Sequence, residues 1–193
     1  MKRPCAILIS GAPATGKSTL AAALAPRLGA AVLDIDVATG PLTDVVSHLI
    51  GVADLSDPQI ARLTRVPRYE TLFALAEDNL RAGTSVVLVA PFTAERSEDG
   101  WNAVVDRLKT HAAGLVLVWL HLPAHQLVDR LKQRAAARDA DKVKNLDAFL
   151  VAIDHDPPAA PHLALDATRQ VADQVDRVVA HLVSHGLAID GTP

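Results

Sequence analysis

Two kinds of segment alternate along the chain, distinguished by the spacing of their apolar residues. Short runs of Val, Ile, Leu and Ala predict strands at residues 5–10, 31–35, 84–90, 115–122 and 162–165. Longer segments with helical spacing, ended by Gly or Pro, predict helices at residues 18–28, 41–50, 58–65, 68–81, 101–111, 124–137, 145–153 and 169–185. Solid aliphatic strands separated by helices indicate a mainly parallel α/β sheet of five strands, buried on both faces.

The composition fits a single domain over residues 1–193 with an aliphatic core, since 50% of the residues are hydrophobic and only 3% are aromatic. The net charge of −3 gives no basic footprint for nucleic acid, so we expect no nucleic-acid partner. The one cysteine, Cys5, excludes an intrachain disulfide. Because no targeting segment or membrane-length apolar run is visible, we expect a cytoplasmic protein without a membrane partner, either a monomer or a homodimer.

Between the first predicted strand and the first helix lies the pattern Gly-x-x-x-x-Gly-Lys-Ser, which in this context is specific for a P-loop. Gly11 and Gly16 permit the backbone angles that turn the loop N–H groups toward phosphate. Lys17 places a charge on the β- and γ-phosphates, Ser18 is a Mg²⁺ ligand, and Thr19 can donate to the α-phosphate. The predicted ligands are ATP and Mg²⁺, with nucleotide contacts from Gly11, Ala12, Pro13, Ala14, Thr15, Gly16, Lys17, Ser18 and Thr19.

Missing motifs narrow the class of nucleotide-binding protein. No Asn-Lys-x-Asp guanine motif occurs, which disfavours a GTPase. Large ATPase motors usually carry an apolar strand that ends in Asp-Glu, but here the third predicted strand runs into Val89-Ala90-Pro91-Phe92 without an acid. A carboxylate near the metal must therefore come from elsewhere, or Ser18 and the phosphates hold the metal.

Two acids follow the second predicted strand, in the sequence Asp34-Ile35-Asp36. Ligands of open α/β sheets bind beyond the carboxyl ends of the strands. If the strand persists, both acids point to the same side. Such an acid can accept a proton from a hydroxyl or orient Mg²⁺-bound water, so both are candidate metal residues and Asp36 is the favoured base. Capping of the following turn is the competing interpretation for Asp34.

Three arginines after the fourth predicted strand are spaced four residues apart, at Arg130, Arg134 and Arg138. On a helix they share one face. Arginines placed beside a transferring phosphoryl group stabilise its charge, so Arg134 and Arg138 are candidate catalytic residues and Arg130 a candidate nucleotide contact. A solvated basic helix face is the alternative interpretation.

The order of P-loop, acid after the second strand, helical insertion, strand ending in Pro-Phe-Thr, and Arg-x3-Arg-x3-Arg-Asp resembles the small P-loop kinases. Within them it is most similar to the zeta-toxin and polynucleotide-kinase-like AAA family ATPases. The resemblance implies a three-layer P-loop NTPase fold with an acceptor-side insertion at residues 37–82 and a lid at 124–155. It also implies phosphoryl transfer, with Lys17 and Ser18 on phosphate and metal, Asp36 as base, and Arg134 and Arg138 in the lid.

Further side chains near the predicted open edge of the sheet are candidate acceptor contacts: Arg65, Arg68, Tyr69, Glu70, Thr93, Glu95 and Arg96. Arg96 is a candidate for holding an anionic substrate, and a structural role is an equal alternative for every one of these residues. By resemblance, residues 166–168 lie against the adenine. Residues 28–34 also resemble the corresponding stretch of gluconate and shikimate kinases.

These features together predict an ATP-dependent phosphotransferase that acts on a hydroxyl of a small molecule, such as a nucleoside, a sugar acid or an antibiotic. Many relatives carry an acid where this chain has Val89-Ala90-Pro91. That departure keeps two alternatives open. One is an ATP-binding regulatory or switch protein, and the other is a simple ATPase without an acceptor.

Overall fold

One five-stranded sheet organises the chain in the structure, a computed structural model that describes residues 4–52, 57–134 and 156–187. All neighbouring strands are parallel, in the order β2-β3-β1-β4-β5. The strands are β1 (Cys5–Ser10), β2 (Ala31–Asp34), β3 (Val86–Val89), β4 (Gly114–His121) and β5 (Leu163–Asp166). The helices are α1 (Lys17–Leu28), α2 (Ile35–Ile50), α3 (Pro58–Arg81), α4 (Glu98–Leu108), α5 (Ala124–Arg134) and α6 (Val171–Ser184).

Two hydrophobic cores cover the opposite faces of the sheet and make three layers. The central strand β1 supplies both, because successive side chains of a strand point to opposite faces. Ile7 and Ile9 enter the core that α1, α5 and α6 complete, while Ala6 and Leu8 enter the core that α3 and α4 complete. All six residues of β1 are buried. The predicted α/β architecture is therefore confirmed, and the sheet is wholly parallel.

The end of β2 differs from the prediction. The strand stops at Asp34, and α2 begins at Ile35 instead of residue 41. The carboxylate of Asp34 accepts a hydrogen bond of 2.9 Å from the backbone N–H of Asp36 and so caps the helix. The expectation that Asp34 and Asp36 share one side of a continuing strand is therefore wrong, since Asp36 lies in the first turn of a helix.

The long insertion helix also differs from the prediction. Residues 58–65 and 68–81 are parts of a single helix, α3, which continues through Pro67. Proline inside a helix removes one backbone hydrogen bond and favours a break, which is why the sequence predicts two helices. Apolar side chains of α3 hold the second half against the sheet, where Leu72, Phe73 and Leu80 are buried.

Helix α2 has an inverted distribution of polar and apolar side chains. Its buried residues include Thr39, Thr43 and Ser47, whose hydroxyls each donate to a nearby backbone carbonyl. Its large aliphatic residues, such as Leu42 and Leu49, are exposed. Short hydroxyl side chains therefore form the contact of α2 with its neighbours, and they satisfy their own hydrogen bonds.

The remaining predicted elements are present in the described residues, with ends displaced by at most three positions. For example, α4 starts at Glu98 because Ser97 caps it by accepting from the N–H of Gly100 at 3.1 Å. The predicted helix at residues 145–153, the end of the predicted helix at 124–137 and most of the predicted lid at 124–155 lie outside the described residues. No helix in the described ranges is long and apolar enough to cross a membrane.

The central packing makes a stability prediction. Leu88 in β3 is fully buried, and Leu88→Ala should lower the free energy of unfolding by about 2–5 kcal/mol, because it leaves a cavity in the core. The same change at Leu49, which is 81% exposed on α2, should cost no more than about 0.5 kcal/mol. Urea unfolding at unchanged m-value measures both. A loss below about 1 kcal/mol for Leu88→Ala would contradict the burial of β3.

Candidate active site

The loop between β1 and α1 has the backbone conformation of a phosphate-binding loop. Gly11 has φ of 149°, and a Cβ atom there would lie 2.4 Å from the carbonyl oxygen of Leu120. Gly16, with φ of 100°, directly precedes α1. Only glycine tolerates both the angle and the close approach at position 11. The positive end of the α1 dipole therefore faces the space that the loop encloses.

Lys17 lies across this loop. Its ammonium group donates to the carbonyls of Gly11 and Ala12, both at 2.8 Å. The buried hydroxyl of Thr15 also donates to the carbonyl of Ala12, at 2.9 Å. Two side chains of the loop thus fix its own backbone, and the positive charge of Lys17 is held over the enclosed space.

The Asp34 carboxylate connects α1, the helix after the P-loop, to α2. Its Oδ2 accepts from the Ser18 hydroxyl at 2.7 Å, while Oδ1 accepts from the N–H of Asp36. Hydroxyl and carboxylate oxygens are the ligands that Mg²⁺ prefers. The described residues contain no cluster of three or more His, Cys, Asp or Glu suited to a metal. This donor set therefore fits a metal that takes most of its ligands from phosphate and water.

Asp36 is oriented by an arginine from α3. The guanidinium of Arg68 donates to the Asp36 carboxylate at 2.6 Å and, through Nε, to the Thr39 hydroxyl at 2.8 Å. Thr39 in turn donates to the carbonyl of Ile35. The carboxylate of Asp36 and the guanidinium of Arg68 consequently have a fixed mutual orientation, and the buried threonine of α2 serves this contact.

A cavity of about 560 Å³ joins these groups. Its wall on the P-loop side includes Lys17, Ser18 and Thr19, and its opposite wall is formed by α3 and the segment after β3. Among the described residues, the lining consists of Pro13, Ala14, Gly16, Lys17, Ser18, Thr19, Asp34, Ile35, Asp36, Ala61, Thr64, Arg65, Arg68, Tyr69, Val89, Ala90, Pro91 and Thr93. The cavity lies beyond the carboxyl ends of β1, β2 and β3, where ligands of parallel sheets bind.

Tyr69 fastens the far wall of the cavity to the segment after β3. Its hydroxyl accepts from the backbone N–H of Phe92 at 3.0 Å, and its ring contacts those of Phe73 and Phe92. Phe92 is buried and has a φ of 51°, an angle that is uncommon for a residue with a side chain. Burial, together with the nearby Glu95 carboxylate, raises the pKa of Tyr69 from its ordinary value of 10.0 to about 12.

Arg130 of α5 links the P-loop to the segment after β5. Its guanidinium donates to the carbonyl of Thr15 at 3.3 Å and to that of Ala167 at 2.7 Å. Hydrogen bonds from the Thr168 hydroxyl and N–H lower the pKa of Asp166. Residues 166–168 thus lie beside the P-loop, and their contact with adenine stays a prediction, as does direct nucleotide contact by Arg130.

Three of the candidate acceptor residues do not line the cavity. Glu70 bonds Arg107 at 2.9 Å. Arg96 is only 6% exposed, donates to the carbonyl of Asp156 and is absent from the cavity lining, so its predicted role on an anionic substrate stays a prediction. Glu95 lies near enough to Tyr69 to raise its pKa and is absent from the lining. The side chain of Arg134, and Arg138 as a whole, lie outside the described residues, so their catalytic roles remain predictions.

Two residues of the α3 wall, Ala61 and Thr64, are not among the candidates predicted from the sequence. Ala61, Thr64, Arg65 and Arg68 are spaced as one helical face and all line the cavity. The interpretation of Pro67 as a helix break concealed this spacing. Reading residues 58–81 as one helix would have placed Thr64 at the site.

A parallel α/β sheet with a P-loop after its central strand and a helical segment facing that loop defines a P-loop kinase-like protein. The chain belongs to the AAA domain family, whose sequence profile matches residues 7–155. No curated protein is significantly similar to it in sequence.

Solved structures share this fold over nearly the whole chain. A candidate kinase from Chloroflexus aurantiacus j-10-fl is 26% identical with a TM-score of 0.70, covering 95% of this chain and 98% of its own. The gluconokinase of Sinorhizobium meliloti 1021 is 17% identical with a TM-score of 0.61, covering 95% and 94%. The APS kinase of Mycobacterium tuberculosis in complex with AMPPNP and APS is 16% identical with a TM-score of 0.59, covering 95% and 99%. The last two likenesses show the fold alone.

The environment of Tyr69 predicts that its hydroxyl ionises at a higher pH than an exposed tyrosine. Phenolate absorbance reports this ionisation directly, because Tyr69 is the only tyrosine of the chain. Its phenolate absorbance in the folded protein should develop near pH 12, and in the urea-unfolded chain near pH 10. The raised pKa means that Tyr69 contributes stability that is fully present below pH 10 and is lost as the pH rises through about 12. A folded-state midpoint near pH 10 would show that the hydroxyl is not buried against Phe92.

Proposed function

We propose that this protein transfers the γ-phosphoryl group of ATP to a hydroxyl group of a small molecule. One observation carries the proposal: a single cavity joins Lys17 and Ser18 of the P-loop to the carboxylates of Asp34 and Asp36 and to the polar face of α3. A triphosphate on the loop and an acceptor against α3 would share one chamber. Transfer needs this proximity, because positioning supplies much of phosphoryl-transfer catalysis.

The P-loop is the nucleotide side of the site. The backbone N–H groups between Gly11 and Gly16 and the start of α1 bind the phosphates. Lys17, held over the loop by the carbonyls of Gly11 and Ala12, exchanges those contacts for phosphate oxygens. Its charge offsets the negative charge on the transferring group.

Ser18 and Asp34 are the residues that would hold Mg²⁺. The hydroxyl of Ser18 is the direct ligand, and the Asp34 carboxylate at 2.7 Å orients that hydroxyl or binds a metal-bound water. When bound, the metal neutralises charge on the β- and γ-phosphates. This use of Asp34 supplies the carboxylate that the end of β3 lacks.

Asp36 is the proposed base. Asp34 is already bonded by Ser18 and the Asp36 N–H, whereas the carboxylate of Asp36 lies toward α3 and is oriented by Arg68. The acceptor hydroxyl gives its proton to Asp36 as its oxygen bonds to the γ-phosphorus, and the bond to the β–γ bridging oxygen breaks to release ADP. Asp36 as a further metal ligand remains part of the proposal.

The lid completes the proposal. Arg134 and Arg138 follow Arg130 at four-residue spacing, and Arg130 fixes α5 to the P-loop. Arginines supplied from α5 and its continuation would stabilise the transferring phosphoryl group and exclude water. The gluconokinase and APS kinase among the similar structures bear the names of small-molecule kinases, which supports an acceptor of that size.

A screen of metabolites for a phosphorylated product tests the proposed phosphotransfer reaction. Full-length protein, Mg-ATP and a metabolite extract should yield a compound whose mass increases by one phosphoryl group, with ADP formation stimulated by the extract. Lys17→Ala, which removes the phosphate-binding charge, should abolish the product and serves as the matched control. Phosphate release independent of any acceptor would indicate a simple ATPase, and tight ATP binding without consumption would indicate a switch protein.

Substitution of the base makes a sharper prediction. Asp36→Asn should lower kcat with the identified acceptor by about 10²–10⁴-fold, because an amide cannot accept the proton of the acceptor hydroxyl. ATP affinity, measured by calorimetry, should change far less. Asp44→Asn, an exposed acid on the same helix that does not line the cavity, should retain full activity. Full phosphotransfer activity in Asp36→Asn would overturn the base assignment.

A further inference from the structure

The charged side chains that line the cavity differ in whether they contact a group of opposite charge. Three cations line it, Lys17, Arg65 and Arg68, against the two acids Asp34 and Asp36. Arg68 is paired with Asp36, and Asp34 is bonded by Ser18. Lys17 belongs to the P-loop. Arg65 therefore supplies a positive charge that the proposed phosphoryl-transfer chemistry does not use.

Among the residues that the structure describes, only neutral groups contact the Arg65 side chain. Its guanidinium donates to the Thr93 hydroxyl at 3.3 Å and lies over the ring of Tyr69, 5.0 Å from its centre. A guanidinium has five N–H donors in a planar fork that matches the oxygens of a carboxylate or phosphate. The ring and the hydroxyl contact the guanidinium without neutralising it, and Arg65 lines the cavity.

The neighbouring acids do not neutralise Arg65. Glu70 is engaged by Arg107 at 2.9 Å. Glu95 lies close enough to raise the pKa of Tyr69, yet it does not line the cavity and makes no ion pair with Arg65 among the described residues. A cation in a cleft without a counter-charge attracts anions.

We propose that the acceptor is a compact hydroxylated anion, whose carboxylate or phosphate group binds Arg65 and Thr93 while its hydroxyl reaches Asp36. This inference rests on the proposed function and narrows its substrate class. Arg65 lies three residues before Arg68, the partner of Asp36, and both arginines line the same cavity. The anionic group and the reacting hydroxyl of the acceptor therefore occupy one cavity of about 560 Å³, which suits a small molecule such as a hydroxy acid or a sugar acid.

Matched pairs of acceptors that differ in one charge test the proposal. The probes are D-gluconate against D-glucitol, D-glycerate against glycerol, and D-glucose 6-phosphate against D-glucose, each with Mg-ATP and the full chain. The anionic member of at least one pair should have a kcat/KM at least about tenfold above its neutral partner. The carboxylate and phosphate pairs show which anion the site takes. If no probe is a substrate, the charge of the acceptor from the metabolite screen gives the answer.

Substitutions in α3 test whether Arg65 causes the preference for anionic over neutral acceptors. Arg65→Gln should lower kcat/KM for the anionic acceptor about 10–100-fold, mainly through KM, and Arg65→Lys should recover part of the loss. Arg62→Gln, an exposed arginine on α3 that does not line the cavity, should behave as the wild type.

Several results would overturn the inference. A neutral or cationic natural acceptor would refute it while leaving the proposed kinase activity intact. So would equal losses for charged and neutral acceptors in Arg65→Gln, or a loss of ATP affinity in that variant, which would place Arg65 on the triphosphate. Absence of any phosphorylated product would remove the proposed function, and this inference with it.

Discussion

The carboxylate of Asp34 connects two parts of the molecule that the chain forms separately. One oxygen bonds Ser18 at the start of the P-loop helix, and the other caps α2 through the N–H of Asp36. Because a single planar group makes both bonds, the position of the P-loop serine and the direction in which α2 leaves the sheet are set together. The placement of Asp36, of its partner Arg68 and of the near wall of the cavity follows from that geometry.

The second wall depends on the fit between α3 and the segment after β3. Tyr69 binds the backbone of Phe92, and Arg65 binds Thr93. These contacts lie on a helix whose other half is fixed by buried apolar residues, including Leu72 and Leu80. Aliphatic packing in one half of α3 thus provides the rigidity that its polar half needs to present guanidinium groups at defined positions.

Much of this organisation was predictable from sequence. Aliphatic strands and a P-loop between strand and helix depend on local pattern, and both were predicted correctly. The features that were not predicted depend on contacts between residues distant in sequence. The continuity of α3 through Pro67 depends on packing against the sheet, and the burial of Arg96 depends on a carbonyl at Asp156, sixty positions away. The role of Asp34 required knowledge of Ser18, because capping and metal-side chemistry are indistinguishable when only Asp34-Ile35-Asp36 is visible.

The inverted side-chain distribution of α2 has an energetic consequence. Burial of Thr39, Thr43 and Ser47 removes little apolar surface from water, and their hydroxyls bond within the helix or its own end. Beyond Ile35, which packs into the core that α3 and α4 complete, the helix therefore contributes little hydrophobic free energy of association. The sheet and its aliphatic cores retain the P-loop geometry, whereas α2 after Ile35 depends on hydrogen bonds, including those from Arg68 to Asp36 and Thr39. In hydrogen exchange, α2 would form a cooperative unit separate from the strands.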